Sequence, residues 1–243
     1  MPVEYKDNEY NNTNIIKSVS DNQYEIFHNI QKLYLDGDTF CCDPTYSQGN
    51  FYGQHGEYNI IPPKYKFDVN PIVEGVEKIE PLGKWPVEIN SLQSINVDLP
   101  FVVSGDAVAS YKKKTQNDLP DKSCLIYRRF SGYYPAEEMF KSYYHFLYNS
   151  FKYLQPSGFC IWKCQSTVSG GKKYWTPYYS WQVASEIGFY PRDEFILTAK
   201  TRILGKIKKQ EHARCFHSHF LVFQKPDGRS KTKPINYYKW QEK

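Results

Sequence analysis

Residues 136–162 read AEEMFKSYYHFLYNSFKYLQPSGFCIW, and the punctuation of this stretch decides the fold class. Phe140, Tyr143, Tyr144, Leu147, Phe151 and Leu154 recur at helical spacing and mark one apolar face. Glu137 and Glu138 stand in the first turn, where the positive end of the helix favours acids. Gln155-Pro-Ser-Gly158 then reads as a terminator, since proline cannot continue a helix and glycine readily adopts the conformation that closes one. Phe159-Cys-Ile-Trp162 follows at once as a buried strand. A second helix is predicted over 178–187, closing at Gly188, with strands over 194–199 and 219–223. Helix, turn, strand, helix, glycine, strand is the rhythm of βα units, and it predicts an α/β fold with an open sheet.

The N-terminal half supplies the other side of that sheet. Ile26, Phe27, Ile30, Leu33 and Tyr34 predict an amphipathic helix over 24–35, ended by Asp36-Gly37-Asp38. Three short apolar runs then end on an acid: 39–42 on Asp43, 65–67 on Asp68 and 94–97 on Asp98. A further short strand is predicted over 76–79, and 44–53 reads as a loop carrying Gly49 and Gly53. Ligands of open α/β sheets collect at the carboxyl ends of strands, which makes the three aspartates candidate site residues. The organisation read from these signals is a polar arm over 1–23, one domain over 24–225 and a polar tail over 226–243. A polar loop or small insertion over 104–135 interrupts the domain. No internal repeat is evident.

Composition narrows the class. The chain has 243 residues with 31 Lys or Arg against 26 Asp or Glu, enough for one domain with a substantial core. No apolar run approaches the roughly 20 residues that span a bilayer, and the N-terminus lacks the apolar stretch of a signal peptide. A soluble, cytoplasmic protein is expected. Six scattered cysteines, Cys41, Cys42, Cys124, Cys160, Cys164 and Cys215, read as reduced thiols in apolar surroundings rather than a disulfide framework. Charge is unevenly placed: residues 192–243 carry net +8 and the rest net −3. Lys200, Arg202, Lys206, Lys208 and Lys209 fall within ten residues free of acids, a local field suited either to a polyanion or simply to a solvated loop.

Several segments, in order along the chain, resemble an amino-directed, S-adenosylmethionine-dependent DNA methyltransferase, a class I enzyme with a Rossmann-like, mostly parallel central sheet. They are Asp43-Pro-Thr-Tyr-Ser-Gln-Gly-Asn-Phe-Tyr52, Lys66-Phe-Asp-Val-Asn-Pro71, Asp98-Leu-Pro-Phe101, Leu154–Gly158, Gly188-Phe-Tyr190, and the run from His212 to Lys225. They cover roughly residues 25–225. More narrowly, the chain resembles small methylases of phages and mobile elements, which implies a bacterial or phage-infected host cell and a place in restriction and modification. The implied reaction is methyl transfer to adenine N6, favoured over cytosine N4.

The resemblance also assigns roles. An exocyclic amino nitrogen is a poor nucleophile because its lone pair is delocalised into the ring. The Asp98 carboxylate and the Leu99 carbonyl would accept its two N–H groups and aim the lone pair at the methyl donor. Pro100 restricts residue 99, and Phe101 offers an aromatic face for a flipped base, whether extruded from duplex DNA or taken from a single strand. The family pattern has a proline where Leu99 stands; Leu99 keeps the carbonyl but loses the fixed φ of proline. Asp43, Thr45, Tyr46 and Gly49 are implied around the methionine and ribose of the donor, and Asp68 as an acceptor for ribose hydroxyls. For each aspartate a capping or turn role is the competing reading, and for Phe101 core packing.

Lys112, Lys113, Lys114, Arg128 and Arg129, with Lys200, Arg202, Lys206, Lys208 and Lys209, are candidate phosphate contacts on either side of an extruded base. The tyrosines around 133–134 and 174–179 suit base stacking, although such aromatics more often pack a core. No large recognition domain is evident, so sequence discrimination would be short or supplied by a protein partner. His212, Cys215, His217 and His219 are dense, but they match no recognised zinc spacing and no metal is assigned. A Ser-His-Asp or Cys-His hydrolase has only residue types in its favour. Two further readings are a catalytically silent, nucleic-acid-binding accessory subunit and a methyltransferase acting on RNA.

Overall fold

The computed structural model describes residues 15–80, 83–103, 132–133, 136–200, 210–229 and 232. Its elements in chain order are β1 (Val19–Ser20), α1 (Gln23–Tyr34), β2 (Cys42–Asp43), β3 (Gly53–His55), β4 (Tyr58–Ile60), β5 (Tyr65–Asp68), β6 (Glu77–Lys78), β7 (Leu92–Asp98), β8 (Val102–Val103), β9 (Gly132–Tyr133), α2 (Ala136–Tyr153), β10 (Leu154–Cys164), β11 (Thr167–Ser169), β12 (Lys172–Tyr174), α3 (Thr176–Ile187), β13 (Tyr190–Thr198) and β14 (His217–Gln224).

Eight strands form one sheet in the order β1-β13-β14-β10-β7-β2-β5-β6. Every neighbouring pair is parallel except the two made by β14, which runs against both β13 and β10. The fold is Rossmann-like. Its mostly parallel central sheet is the one expected of a class I methyltransferase.

Strand alternation sends side chains to two cores. Ile95, Val97, Cys160 and Trp162 point to the face covered by α2 and α3, where they meet Met139, Tyr143, Phe146 and Val183. Ile161, Phe195, Phe220 and Val222 point to the opposite face and meet Ile26, Phe27 and Ile30 of α1. Burial of each large side chain of this kind stabilises the fold by roughly 1.5–3 kcal/mol. Strands covered on both faces read as nearly continuous apolar runs, which is why 159–162 and 219–223 could be found from sequence.

The helices start and stop where the sequence directs. Asn22 caps α1, its Oδ1 accepting the Tyr24 N–H at 2.9 Å. Beyond its end, Gly37 at φ +84° returns its N–H to the Gln31 carbonyl. Leu33, predicted on the apolar face of this helix, is instead exposed. Gly188 closes α3 at φ +117°, and the Gly188 and Phe189 N–H groups both reach the Ala184 carbonyl.

Three expectations need correction. Gln155-Pro-Ser-Gly158 does not separate helix from strand, because β10 begins at Leu154 directly after α2. The turn residues are absorbed as a register shift between Leu154 and Phe159, where Ser157 takes φ +68° and donates its N–H to the Lys225 carbonyl. Gly53, read as the end of a loop, instead opens the hairpin β3–β4 over residues 53–60, a stretch otherwise given no element from sequence. Helix α3 starts two residues early, with Pro177 fitting its first turn.

Cys41, Cys42, Cys160, Cys164 and Cys215 are free thiols. Burial pushes Cys160 up to about 12 and raises Cys42 and Cys164 as well. The expected insertion over 104–135 and Cys124 lie outside the described residues, apart from the short β9 strand, which pairs with β8. Among the described residues, no helix is long and apolar enough to cross a membrane.

Candidate active site

From the adjacent strands β2 and β7 the chain moves outward in opposite directions, to β5 and β6 on one side and to β10, β14 and β13 on the other. Such a reversal leaves a crevice at the carboxyl ends of the two central strands. Those ends carry Asp43 and Asp98. Thr45 joins them: its N–H and its hydroxyl both donate to Asp43 Oδ1, at 2.8 and 2.9 Å, while its Oγ1 accepts the Asp98 N–H at 2.9 Å.

Asp43 is spent within the fold. It is 1% exposed. Besides the two Thr45 bonds, its Oδ2 accepts from the Tyr52 hydroxyl at 2.7 Å and from Asn96 Nδ2 at 3.2 Å. Asn96 Nδ2 also reaches the Tyr52 oxygen at 3.1 Å. Desolvation raises the Asp43 carboxyl to about 6, against the opposing pull of its hydrogen bonds. An acid so buried and so fully bonded shapes the 44–52 loop and has no free oxygen for a ligand.

Asp98 stands in a different setting. Its side chain is 23% exposed, and its Oδ2 lies 3.2 Å from Lys163 Nζ. The parallel register places Lys163 of β10 beside Asp98 of β7, so both project from one face. Lys163 also sits over the Phe51 and Phe220 rings, 4.6 and 5.7 Å from their centroids. Burial raises the Asp98 carboxyl above its ordinary range and the lysine charge pulls it back down.

The residues after Asp98 are pinned without the second proline. Leu99 is buried at 6% exposure in the core beneath α2. The Pro100 carbonyl accepts the Tyr143 hydroxyl of α2 at 3.3 Å. Phe101 is half-buried at the entrance to β8. Apolar burial fixes the position of Leu99 in the core.

On the other side of β2, Asp68 ends β5 half-buried. One of its oxygens takes the Ser47 N–H at 2.9 Å and the other the Asn70 N–H at 2.8 Å. A carboxylate oxygen has room for more than one donor, so Asp68 keeps acceptor capacity. Tyr46 stacks on Tyr52 with centroids 5.4 Å apart, and its N–H donates to the Phe67 carbonyl. Gly49, at φ +71°, passes so close to Tyr46 that a Cβ would lie 2.6 Å from its ring. The close approach served by this glycine is to a neighbouring side chain. Asn96 Oδ1 is buried and has no hydrogen-bond partner among the described residues. A half-buried acid and an aromatic ring at the strand ends are side chains that a nucleoside-like group would fit.

The predicted phosphate contacts Lys112, Lys113, Lys114, Arg128, Arg129, Arg202, Lys206, Lys208 and Lys209 lie outside the described residues. Lys200 is exposed and pairs with Asp21 at 2.7 Å. His212 bonds the Gly171 carbonyl and His219 pairs with Glu194. Among the described residues, no cluster of His, Cys, Asp or Glu is arranged to hold a metal.

Tyr52, Asn96 and Lys163 were not singled out from sequence. Lys163 does leave a signal, being a charged residue directly after the apolar run Phe159–Trp162.

No family model matches the chain, and no curated protein does. Among solved structures it is similar to TTHA0409, a candidate DNA modification methylase of Thermus thermophilus, at 12% identity and a TM-score of 0.38 over 65% of this chain and 55% of that one. TTHA0409 complexed with S-adenosyl-L-methionine aligns at 16% identity and a TM-score of 0.32, over 44% of this chain and 45% of that one. The chain thus spans about half the length of these structures. Strand order and switch point carry the fold assignment by themselves.

Proposed function

We propose that the protein transfers a methyl group from S-adenosylmethionine to an exocyclic amino group of a DNA base, adenine N6 in preference to cytosine N4. The observation that carries this reading is the partly exposed Asp98, placed at the switch point and tied through Thr45 to the loop that begins at Asp43. The donor supplies an electrophilic methyl on a sulfonium centre.

In this reading Asp98 accepts an N–H of the amino group, so that the nitrogen lone pair turns out of the ring plane and positive charge on nitrogen is stabilised as it develops. The Leu99 carbonyl takes the second N–H, Pro100 restrains its direction, and Phe101 packs against the base. Lys163 acts through Asp98 as a positioning residue, holding Oδ2 and keeping the carboxylate charged. Asp68 serves the ribose hydroxyls and Tyr46 the donor's ring or chain. Asp43 and Gly49 shape the loop that carries Thr45 and Tyr46. The basic residues over 112–114, 128–129 and 200–209 take phosphates. Target choice is short or set by a partner protein.

Calorimetric titration with S-adenosylmethionine, followed by nucleoside mass analysis after incubation with DNA, tests the reading. Asp98→Ala is expected to lower methyl transfer by roughly 10²–10³-fold with donor affinity unchanged within twofold. Methyl transfer surviving in Asp98→Ala would refute the assignment.

A further inference from the structure

The hairpin β11–β12 and the first turn of α3 expose large aromatic side chains that the core does not use. Trp175 is 53% exposed and Tyr178 is 70% exposed, and their rings meet edge to face with centroids 5.7 Å apart. Lys173 Nζ lies 4.0 Å from the centroid of the Trp175 ring, and Lys172 beside it is exposed. From Gln165 to Ser185 these two lysines are the only charged residues in the sequence. The carboxylate of Glu211 lies beside the hairpin's turn at Gly171.

Trp175 occupies the N-cap of α3, where its side chain makes no capping hydrogen bond. Ser, Thr, Asp or Asn there would accept a backbone N–H of the first turn and stabilise the helix. The sequence thus places a large ring in water at a position where a small polar residue serves the fold better.

The location is as informative as the chemistry. The hairpin begins at Thr167, a few residues past Lys163, whose amino group meets Asp98. Strand β11 packs against β8, which continues directly from Phe101. The hairpin that leads into Trp175 and Tyr178 therefore packs beside the segment that follows the Asp98–Phe101 loop.

We propose that Trp175 and Tyr178, with Lys172 and Lys173, form a binding site for single-stranded DNA flanking the target base. The rings stack on one or two bases and the lysines take adjacent phosphates. Flat aromatic faces interleaved with cations suit unpaired bases, whose faces a duplex hides. This rests on the methyl-transfer reading for its biological sense but not for its measurement.

The test is anisotropy binding of the full-length protein to a labelled mixed-sequence single strand and to the matching duplex across a salt series. The wild type is expected to prefer the single strand. Trp175→Ala with Tyr178→Ala should weaken single-strand binding by about 30-fold at unchanged salt slope. Lys172→Gln with Lys173→Gln should shallow the slope of log K against log salt by about 1.4. Circular dichroism melts confirm folding, and Tyr178→Ala alone, at the more exposed position, still predicts a loss of about fivefold.

Wild-type binding that is unaffected by the aromatic substitutions overturns the proposal. So does a wild type that binds no oligonucleotide, or that prefers duplex. Loss of self-association in the variants, with DNA binding intact, would assign the surface to a second copy of the chain instead. If the rings matter for DNA binding but no methyl transfer occurs, this proposal stands and the methyl-transfer reading falls. Transfer with ring-independent binding gives the reverse.

Discussion

Asp43 and Asp98 end neighbouring parallel strands and are linked through one threonine, yet the two acids do opposite work. Asp43 is closed off from solvent, with both oxygens taken by Thr45, Tyr52 and Asn96. Asp98 keeps part of its surface and shares one oxygen with a lysine. Residue type and strand-end position are the same in both. What separates them is where the next residues go. After Asp43 the chain turns back, so that Thr45 and Tyr52 cover the carboxylate; after Asp98, Leu99 dives into the core and leaves the acid at the rim. An acid at a strand end is thus a candidate for chemistry only when the following loop turns away from it.

The largest expected effect concerns the closed acid. In the folded state Asp43 titrates at about 6 against 3.8 for the ordinary carboxyl. Its folded value is raised, so the protonated form is favoured by folding. The associated stability is complete below about pH 4 and is lost as pH rises through about 6. The shift corresponds to about 3 kcal/mol. Urea unfolding should therefore show the wild type losing about 3 kcal/mol relative to Asp43→Asn between about pH 4 and about pH 7. A difference that stays flat with pH would mean that Asp43 is less enclosed than its geometry implies.

The open acid yields a smaller effect, read in activity. Lys163→Met removes the charge that holds Asp98 down, so the acid limb of methyl transfer should move to higher pH. On that limb the variant should then transfer methyl more slowly than the wild type at the same pH, with the two rates converging at higher pH. Lys163→Arg should restore the wild-type profile. If Lys163 merely packed between Phe51 and Phe220, the methionine variant would leave the profile where it was.

The link between them has the smallest consequence. Thr45→Val keeps the shape of the side chain but leaves the Asp98 N–H without its acceptor and Asp43 without one donor. A loss of about 1 kcal/mol in unfolding free energy is expected. A combination of Thr45→Val with Asp43→Asn that is fully additive would mean that the bridge does not couple the two strand ends.

The sheet and its helices were largely legible because their signals are local. Periodicity over 24–35 and 136–154 and the glycines at 37 and 188 report backbone conformations decided within a turn or two. Asp43, Asp68 and Asp98 could be found as strand ends for the same reason. The Lys163–Asp98 pair could not, since it exists only through the register between strands more than fifty residues apart in sequence. Gln155–Gly158 misled because the same residues that end a helix also build a strand irregularity. The β3–β4 hairpin did leave a mark that went unread: Gly56-Glu57 is a two-residue turn with glycine at its first position, at φ +64°. The enclosure of Asp43 depends on Tyr52, from the following loop, and Asn96, from β7, which no short motif encodes.

The thiols of Cys42 and Cys160 lie on β2 and β10, the strands that flank β7, and both are fully buried. Their alkylation must wait for the centre of the sheet to part, whereas Cys41 and Cys215 are partly accessible in the folded chain. The protein thereby carries its own clock: the slow fraction of a thiol-labelling time course counts openings of the strand that holds Asp98.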